Sequence, residues 1–185
     1  KLIEFEPAIT QAGNQPQMPL QDVTVIGGGP AGVAAAIYSS RKGLQVTLIA
    51  ERLGGQVKDT MGIENLISVP KTTGPELAGA MQQHMNDYDI TIKEHLRVTK
   101  VEQGDIKQVT LSSGEVIKTR TLIIATGARW RELGVPGEKE NIGNGVAYCP
   151  HCDGPFFKGR DVAVIGGGNS GIEAALDLAG IVHSV

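Results

Sequence analysis

The chain has 185 residues, 41% of them hydrophobic and 20% charged, which suits a soluble globular protein of one or two domains. A net charge of -3 and only 4% aromatics leave no basic, aromatic-laced stripe, so a nucleic-acid partner is excluded. No apolar run reaches the roughly 18 residues of a membrane span and no basic-then-apolar leader opens the chain, so the expectation is a cytoplasmic protein without a membrane partner.

Residues 1–21 hold three Pro and four Gln without sustained periodicity and read as a linker or arm. Val23-Thr24-Val25-Ile26 is a β-branched run ended by glycines, the pattern of a buried strand. Pro30 stands where a helix would begin, and a helix is expected through Ala31–Lys42, closed by Gly43. Leu44–Ala50 is a second strand, so residues 22–51 form a β–α–β unit. A helix over Pro75–Asn86, a meander of short strands over about Ile90–Lys118 and the apolar run Leu122–Ala125 follow. Asp161–Ile165 then reads as a strand, Gly166–Gly171 as a glycine turn, and Asn169–Ala179 as a helix closing at Gly180.

The 25 glycines have no collagen period; they cluster at Gly27–Gly29, Gly54-Gly55 and Gly166–Gly168, at the ends of apolar runs. Two clusters open a G-x-G-x-x-G pattern, Gly27-x-Gly29-x-x-Gly32 and Gly166-x-Gly168-x-x-Gly171, 139 positions apart. In this pattern the first glycine permits a tight turn, the second lets backbone approach a pyrophosphate, and the third allows close helix–strand packing. The anion then sits at the start of the following helix, where free N–H groups and the dipole favour it. Glu51, 19 residues after Gly32 at the end of the second strand, stands where a ribose hydroxyl needs an acidic partner. The acidic or basic counterpart for the second motif would lie beyond residue 185. Strands alternating with helices make this an α/β protein with two Rossmann-like nucleotide-binding halves.

The two cysteines, Cys149 and Cys152, form a Cys-x-x-Cys motif. A structural zinc needs about four ligands, and the remaining histidines form no spaced pair. Covalent haem needs His directly after the second Cys, where Asp153 stands. A dithiol/disulfide couple is the reading that remains favoured over two inert thiols. Asp153 would shuttle a proton if burial raises its pKa, or serve as a turn or capping residue; His151 reads as a local tuner of thiol acidity.

With two dinucleotide motifs and a Cys-x-x-Cys just before the second, the sequence resembles the thioredoxin-reductase-like flavoprotein disulfide reductases. The matching stretches are Gly27–Gly32 with Pro30-Ala31, Gly54-Gly55-Gln56, Glu64-Asn65, Ala125–Ala128, Cys149–Gly154 and Gly166–Gly171. Ser68–Thr72, Tyr148–Pro155 and Asp177–Val182 favour the branch that reduces peroxiredoxins with NADH, since ordinary thioredoxin reductases carry small residues between the cysteines.

The resemblance implies a site, position by position. Gly27, Gly29, Pro30, Ala31 and Gly32 would hold the FAD pyrophosphate and Glu51 its adenosine ribose. Gly55, Gln56, Asn65, Thr126, Gly127 and Ala128 would contact the rest of the flavin. Gly166, Gly168, Asn169, Ser170 and Gly171 would hold the pyrophosphate of NADH or NADPH. Two electrons would pass from nicotinamide to flavin to the disulfide; by analogy Cys152 faces the flavin, Cys149 attacks the outgoing disulfide, and Asp153 handles the proton. No metal is implied.

The expected division is a linker over 1–21, an FAD-binding domain over 22–128 and the start of a nicotinamide-binding domain over 129–185, with the boundary inside 129–134. The native polypeptide is expected to be longer, because the family completes its FAD domain with a later segment and its peroxiredoxin-reducing branch carries an N-terminal thioredoxin-like module. The resemblance further implies a homodimer whose partner is a peroxiredoxin, reached directly or through that module. The alternatives are an NADPH–thioredoxin reductase and, in a different class, a non-catalytic flavin- or nucleotide-binding redox sensor.

Overall fold

A computed structural model describes residues 18–185, and the arm expected over 1–21 lies almost wholly outside them. Six strands form one sheet: β1 (Gln21–Ile26), β2 (Val46–Ala50), β3 (Ile90–Glu94), β4 (Val98–Glu102), β5 (Lys107–Leu111) and β6 (Val116–Ile124). Four helices accompany them: α1 (Pro30–Ser40), α2 (Gly74–Asn86), α3 (Pro150–Asp153) and α4 (Asn169–Ala179). By contacts the chain divides into two compact units. The described residues up to Leu53 group with Gln83–Thr126, and Gly54–Gln82 groups with Gly127–Val185.

The first unit carries the whole sheet, in the order β3-β2-β1-β6-β5-β4. β1, β2, β3 and the second half of β6 are parallel, whereas β4, β5 and the first half of β6 form an antiparallel extension. The residue pattern explains the difference. β2 (VTLIA) is buried at all five positions, as a strand covered on both faces must be, and α1 packs against β1, β2, β3 and β6. β5 alternates polar and apolar residues from Gln108 to Leu111 and buries only Val109 and Leu111, and β4 is exposed from Thr99 on. Between β5 and β6 Val109 pairs with Ile117, both fully buried, in a cluster with Ile49 and Leu111.

The expected β–α–β unit is present with trimmed edges. β1 begins at Gln21 because Gln21 is buried: its Oε1 accepts from the Thr47 hydroxyl at 2.9 Å and its Nε2 donates to the Pro19 carbonyl. α1 stops at Ser40, and Arg41–Gly43 form the turn that Gly43 closes at φ +76°. The meander expected over about Ile90–Lys118 is only partly one, since β3 runs parallel to β2 in register Val46 with Ile90.

In the second unit α2 opens with a reciprocal cap. The Glu76 N–H donates to Thr73 Oγ1 at 3.3 Å, while the Thr73 N–H donates to Glu76 Oε2 at 2.9 Å. The Thr73 N–H, with the Thr73 and Thr72 side chains, holds the Glu76 carboxyl below its ordinary value. The run Asp161–Ile165, expected as a strand, is not one. Among the described residues only Asp161 bridges, to Ser184, with the Val162 N–H donating to the Ser184 carbonyl at 2.9 Å. A strand exists through its ladder, and Ala163–Ile165 have no bridge to extend it.

Candidate functional site

The two glycine loops fold alike. Gly27 lies at φ +119° and Gly166 at φ +133°, conformations that side chains rarely adopt. A Cβ on Gly32 would stand 1.9 Å from the Gly27 carbonyl oxygen, and one on Gly171 would stand 2.1 Å from that of Gly166. Each loop thus closes on itself through a contact that only its first and third glycines permit. The middle glycines, Gly29 and Gly168, are the N-caps of α1 and α4 in the same extended conformation (φ -76°, ψ -179° and φ -83°, ψ 178°). Neither N-cap offers a side chain to the first-turn N–H groups, so each helix start is uncapped. Pro30 occupies the first turn of α1, with Ala31 exposed beside it; Asn169 and Ser170 open α4, also exposed.

The loops differ in what lies beneath them. A Cβ on Gly27 would meet the Ala125 carbonyl at 2.1 Å, and one on Gly28 would meet Ala50 and Leu53 at 2.7 and 3.0 Å. The first loop is therefore clamped on the ends of β2 and β6. Glu51 follows β2 directly, exposed, and its Oε1 lies 3.0 Å from Arg97 Nε. Arg97 stands in the β3–β4 connection, which the Leu96 N–H ties to the Ala50 carbonyl at 3.4 Å. No local pattern announces this pair, because sheet pairing brings the two residues together across 46 positions.

Thr126 follows β6 at the edge of the first unit; Gly55, Gln56, Asn65, Gly127 and Ala128 belong to the second. Within it the Gln56 side-chain amide donates to the Ala128 carbonyl. Gly55 and Gln56 start a short 3-10 turn, Gly55 at φ +57°, and Asn65 is exposed in the loop between the bridges Ile63–Thr72 and Leu66–Val69.

Cys149 and Cys152 are joined as a disulfide, their Cα atoms 5.3 Å apart. Cys149 is the N-cap of α3, and its Sγ accepts the Cys152 N–H at 3.2 Å. Cys152 is exposed and Cys149 half-buried. Asp153 is half-buried, and burial pushes its carboxyl above the ordinary value. It lines a cavity of about 310 Å³ with Gly145, Val146, Phe156 and Arg160. His151 Nδ1 lies 3.3 Å from Asp177 on α4, an exposed pair. Gly154 packs under Leu178 of the same helix, where a Cβ would come within 3.1 Å.

Sequence reasoning passed over Glu138. It is buried, with its carboxylate accepting from the Leu133 and Gly134 N–H groups and from the Tyr148 hydroxyl. A lone Glu in a Gly/Pro-rich loop carries no signal of burial.

The pyridine nucleotide-disulphide oxidoreductase family matches residues 21–185. The chain belongs to that family. It is 58% identical over 164 residues to a Bacillus subtilis protein named NADH dehydrogenase, covering 89% of this chain and 32% of that one. It is 59% identical over 167 residues to the F component of alkyl hydroperoxide reductase from Pseudomonas putida, with the same shares of 89% and 32%. Among solved structures, thioredoxin reductase from Streptococcus pyogenes superposes with a TM-score of 0.82 at 40% identity, over 88% of this chain and 53% of that one. The chain thus spans about a third of the length of these curated relatives. Membership implies flavin and nicotinamide nucleotides, and the two loops fit them: both present a side-chain-free backbone cradle ahead of an uncapped helix start.

Proposed function

We propose that the protein is an FAD-dependent NADH:disulfide reductase like the F component of alkyl hydroperoxide reductase, which delivers electrons to a peroxiredoxin directly or through a thioredoxin-like module. The observation that carries this reading is the Cys149–Cys152 disulfide beside an Asp153 carboxyl whose burial favours its protonated form. Relatives named as that component of alkyl hydroperoxide reductase, at 55–59% identity, support the choice of acceptor. In this reading residues 22–128 serve FAD and residues 129–185 the nicotinamide nucleotide.

The loop from Gly27 to Gly32 would hold the FAD pyrophosphate with backbone N–H groups at the start of α1. Glu51 would hold the ribose, its Oε1 fixed by Arg97 so that Oε2 is left for a hydroxyl. Gly55, Gln56, Asn65 and Thr126–Ala128 would line the remainder. Gly166, Gly168, Asn169, Ser170 and Gly171 would take the second nucleotide. When bound, the flavin supplies hydride acceptance and two-electron transfer, chemistry that no side chain offers. The chain's own part is the sulfur chemistry. Two electrons open the Cys149–Cys152 bond, a proton from Asp153 leaves Cys152 as thiol and Cys149 as thiolate, and the Cys149 thiolate then attacks the partner's disulfide. Cys152 resolves the mixed disulfide, which regenerates the bridge and releases a reduced partner.

Anaerobic addition of NADH to the full-length protein tests the reading. Flavin absorbance is expected to bleach with uptake of at least four electrons per protomer, two in the flavin and two in the Cys149–Cys152 disulfide. Uptake of two electrons with the disulfide intact would make the cysteines inert and leave a nucleotide-binding module. The likeness to thioredoxin reductase favours a second reading, an NADPH–thioredoxin reductase. Faster turnover with NADPH and thioredoxin than with NADH and peroxiredoxin would select it.

Asp153 gives a pH prediction. Its raised pKa keeps the acid form populated to a higher pH than an ordinary carboxylate would, so disulfide reduction is expected to fall as pH rises through that raised value. Asp153→Asn should remove this descending limb and slow reduction about 100-fold, the usual worth of a placed general acid. A pH–rate profile of disulfide reduction in wild type and variant checks it, and an unchanged limb in the variant would assign the proton to another group.

A further inference from the structure

Among the described residues, Glu138 is the only charged residue that is buried, at 5% exposure. Its Oε1 accepts the Leu133 N–H at 2.9 Å and the Tyr148 O–H at 2.8 Å, and its Oε2 accepts the Gly134 N–H at 2.6 Å. A buried carboxylate is tolerated only when charge-assisted bonds replace its water, and these three do so. They hold the Glu138 carboxyl below its ordinary value, the bond from Leu133 contributing most. The same carboxylate disfavours a neighbouring phenolate, so Tyr148 is pushed up to about 12 and stays a donor across the working range. The Tyr148 ring lies nearly parallel to Trp130, with centroids 6.4 Å apart and an 11° tilt. Tyr148 is the residue before Cys149, so one carboxylate fastens the segment 133–134 to the backbone that carries the first sulfur. Nothing in the nucleotide loops or the proton chemistry uses this arrangement.

We propose that Glu138 is a positioning residue for the disulfide: through the Tyr148 hydroxyl it fixes the approach to Cys149, so that the two sulfurs are preorganised for each other. Preorganisation raises the effective concentration of one thiol at the other and so favours the closed bridge over the dithiol. The importance of this for turnover rests on the reductase reading; the positioning itself does not.

The test is therefore an equilibrium that needs no nicotinamide. Full-length flavoprotein is equilibrated with glutathione buffers, in which the bridge and two glutathione thiols exchange for the dithiol and one glutathione disulfide. The mixture is then quenched, alkylated, and the peptide holding Cys149 and Cys152 weighed. Tyr148→Phe, which removes one oxygen and keeps the ring on Trp130, and Glu138→Gln are each expected to lower the equilibrium constant for the bridge about 10-fold, the worth of a hydrogen bond to a charged group. The double variant should fall no further than the larger single effect, because the Tyr148 hydroxyl acts only through Glu138. Equilibria unchanged in both single variants, or additive losses in the double variant, would overturn the proposal. Failure of NADH to reduce the bridge in wild type would instead sink the reductase reading and leave this equilibrium readable.

Discussion

Replacing Cys149 by Ser is expected to abolish reduction of an oxidised peroxiredoxin or thioredoxin, by about a thousandfold or more, while NADH still bleaches the flavin at the wild-type rate. Exchange proceeds by attack of a thiolate, and a serine hydroxyl has no accessible anion at neutral pH, so no parallel route carries the flux. Cys152→Ser should block turnover as completely but at a different point. With its resolving partner gone, Cys149 is expected to accumulate as a mixed disulfide with the acceptor, visible as a covalent adduct without reductant. Half-buried Cys149 and exposed Cys152 give no reason by themselves to assign these roles, so the two variants decide the order of events. Partner reduction at more than a few percent of wild type in Cys149→Ser would remove the disulfide from the electron path.

The second large effect belongs to the first glycine loop. Gly32→Ala puts a methyl 1.9 Å from the Gly27 carbonyl oxygen, a contact between backbone atoms with no flexible side chain to yield. The loop must open, the start of α1 must move away from β1, and the expected result is protein that purifies without FAD. Overpacking of this kind also costs about 1–3 kcal/mol in stability, measurable by denaturant unfolding of the flavin-free forms. Gly171→Ala is the matched control. It puts its methyl 2.1 Å from the Gly166 carbonyl, the same closure in the second loop. It should raise KM for NADH while leaving FAD stoichiometric. Recovery of Gly32→Ala with a full complement of flavin would show that the loop is not the pyrophosphate cradle.

The local chemistry was legible in the amino acids. Gly27-x-Gly29-x-x-Gly32 and Gly166-x-Gly168-x-x-Gly171 name their own conformation, since only glycine takes positive φ readily at the first position and leaves room for that residue's carbonyl at the third, and both loops do so. Helix ends were readable from Pro30 and Gly43, and a Cys-x-x-Cys pair is close enough in sequence to bridge without help from the fold. Asp153 was readable as a proton carrier only on condition of burial, and the tertiary structure supplies that burial, which raises its pKa.

Sequence by itself determined the short-range features: two turn-and-helix cradles, one local disulfide, and the α/β alternation around them. Tertiary structure alone decided which residues far apart in the chain meet. Sheet pairing set β3 parallel to β2 and carried Arg97 to Glu51, and burial turned an ordinary loop residue, Glu138, into the clasp on Tyr148. Among the described residues Ala163–Ile165 pair with no ladder, because no partner strand among them lies beside the run. Backbone conformation is written in neighbouring residues because its energies are local, whereas strands, ion pairs and buried charges exist only when a distant segment supplies the other half of the bond.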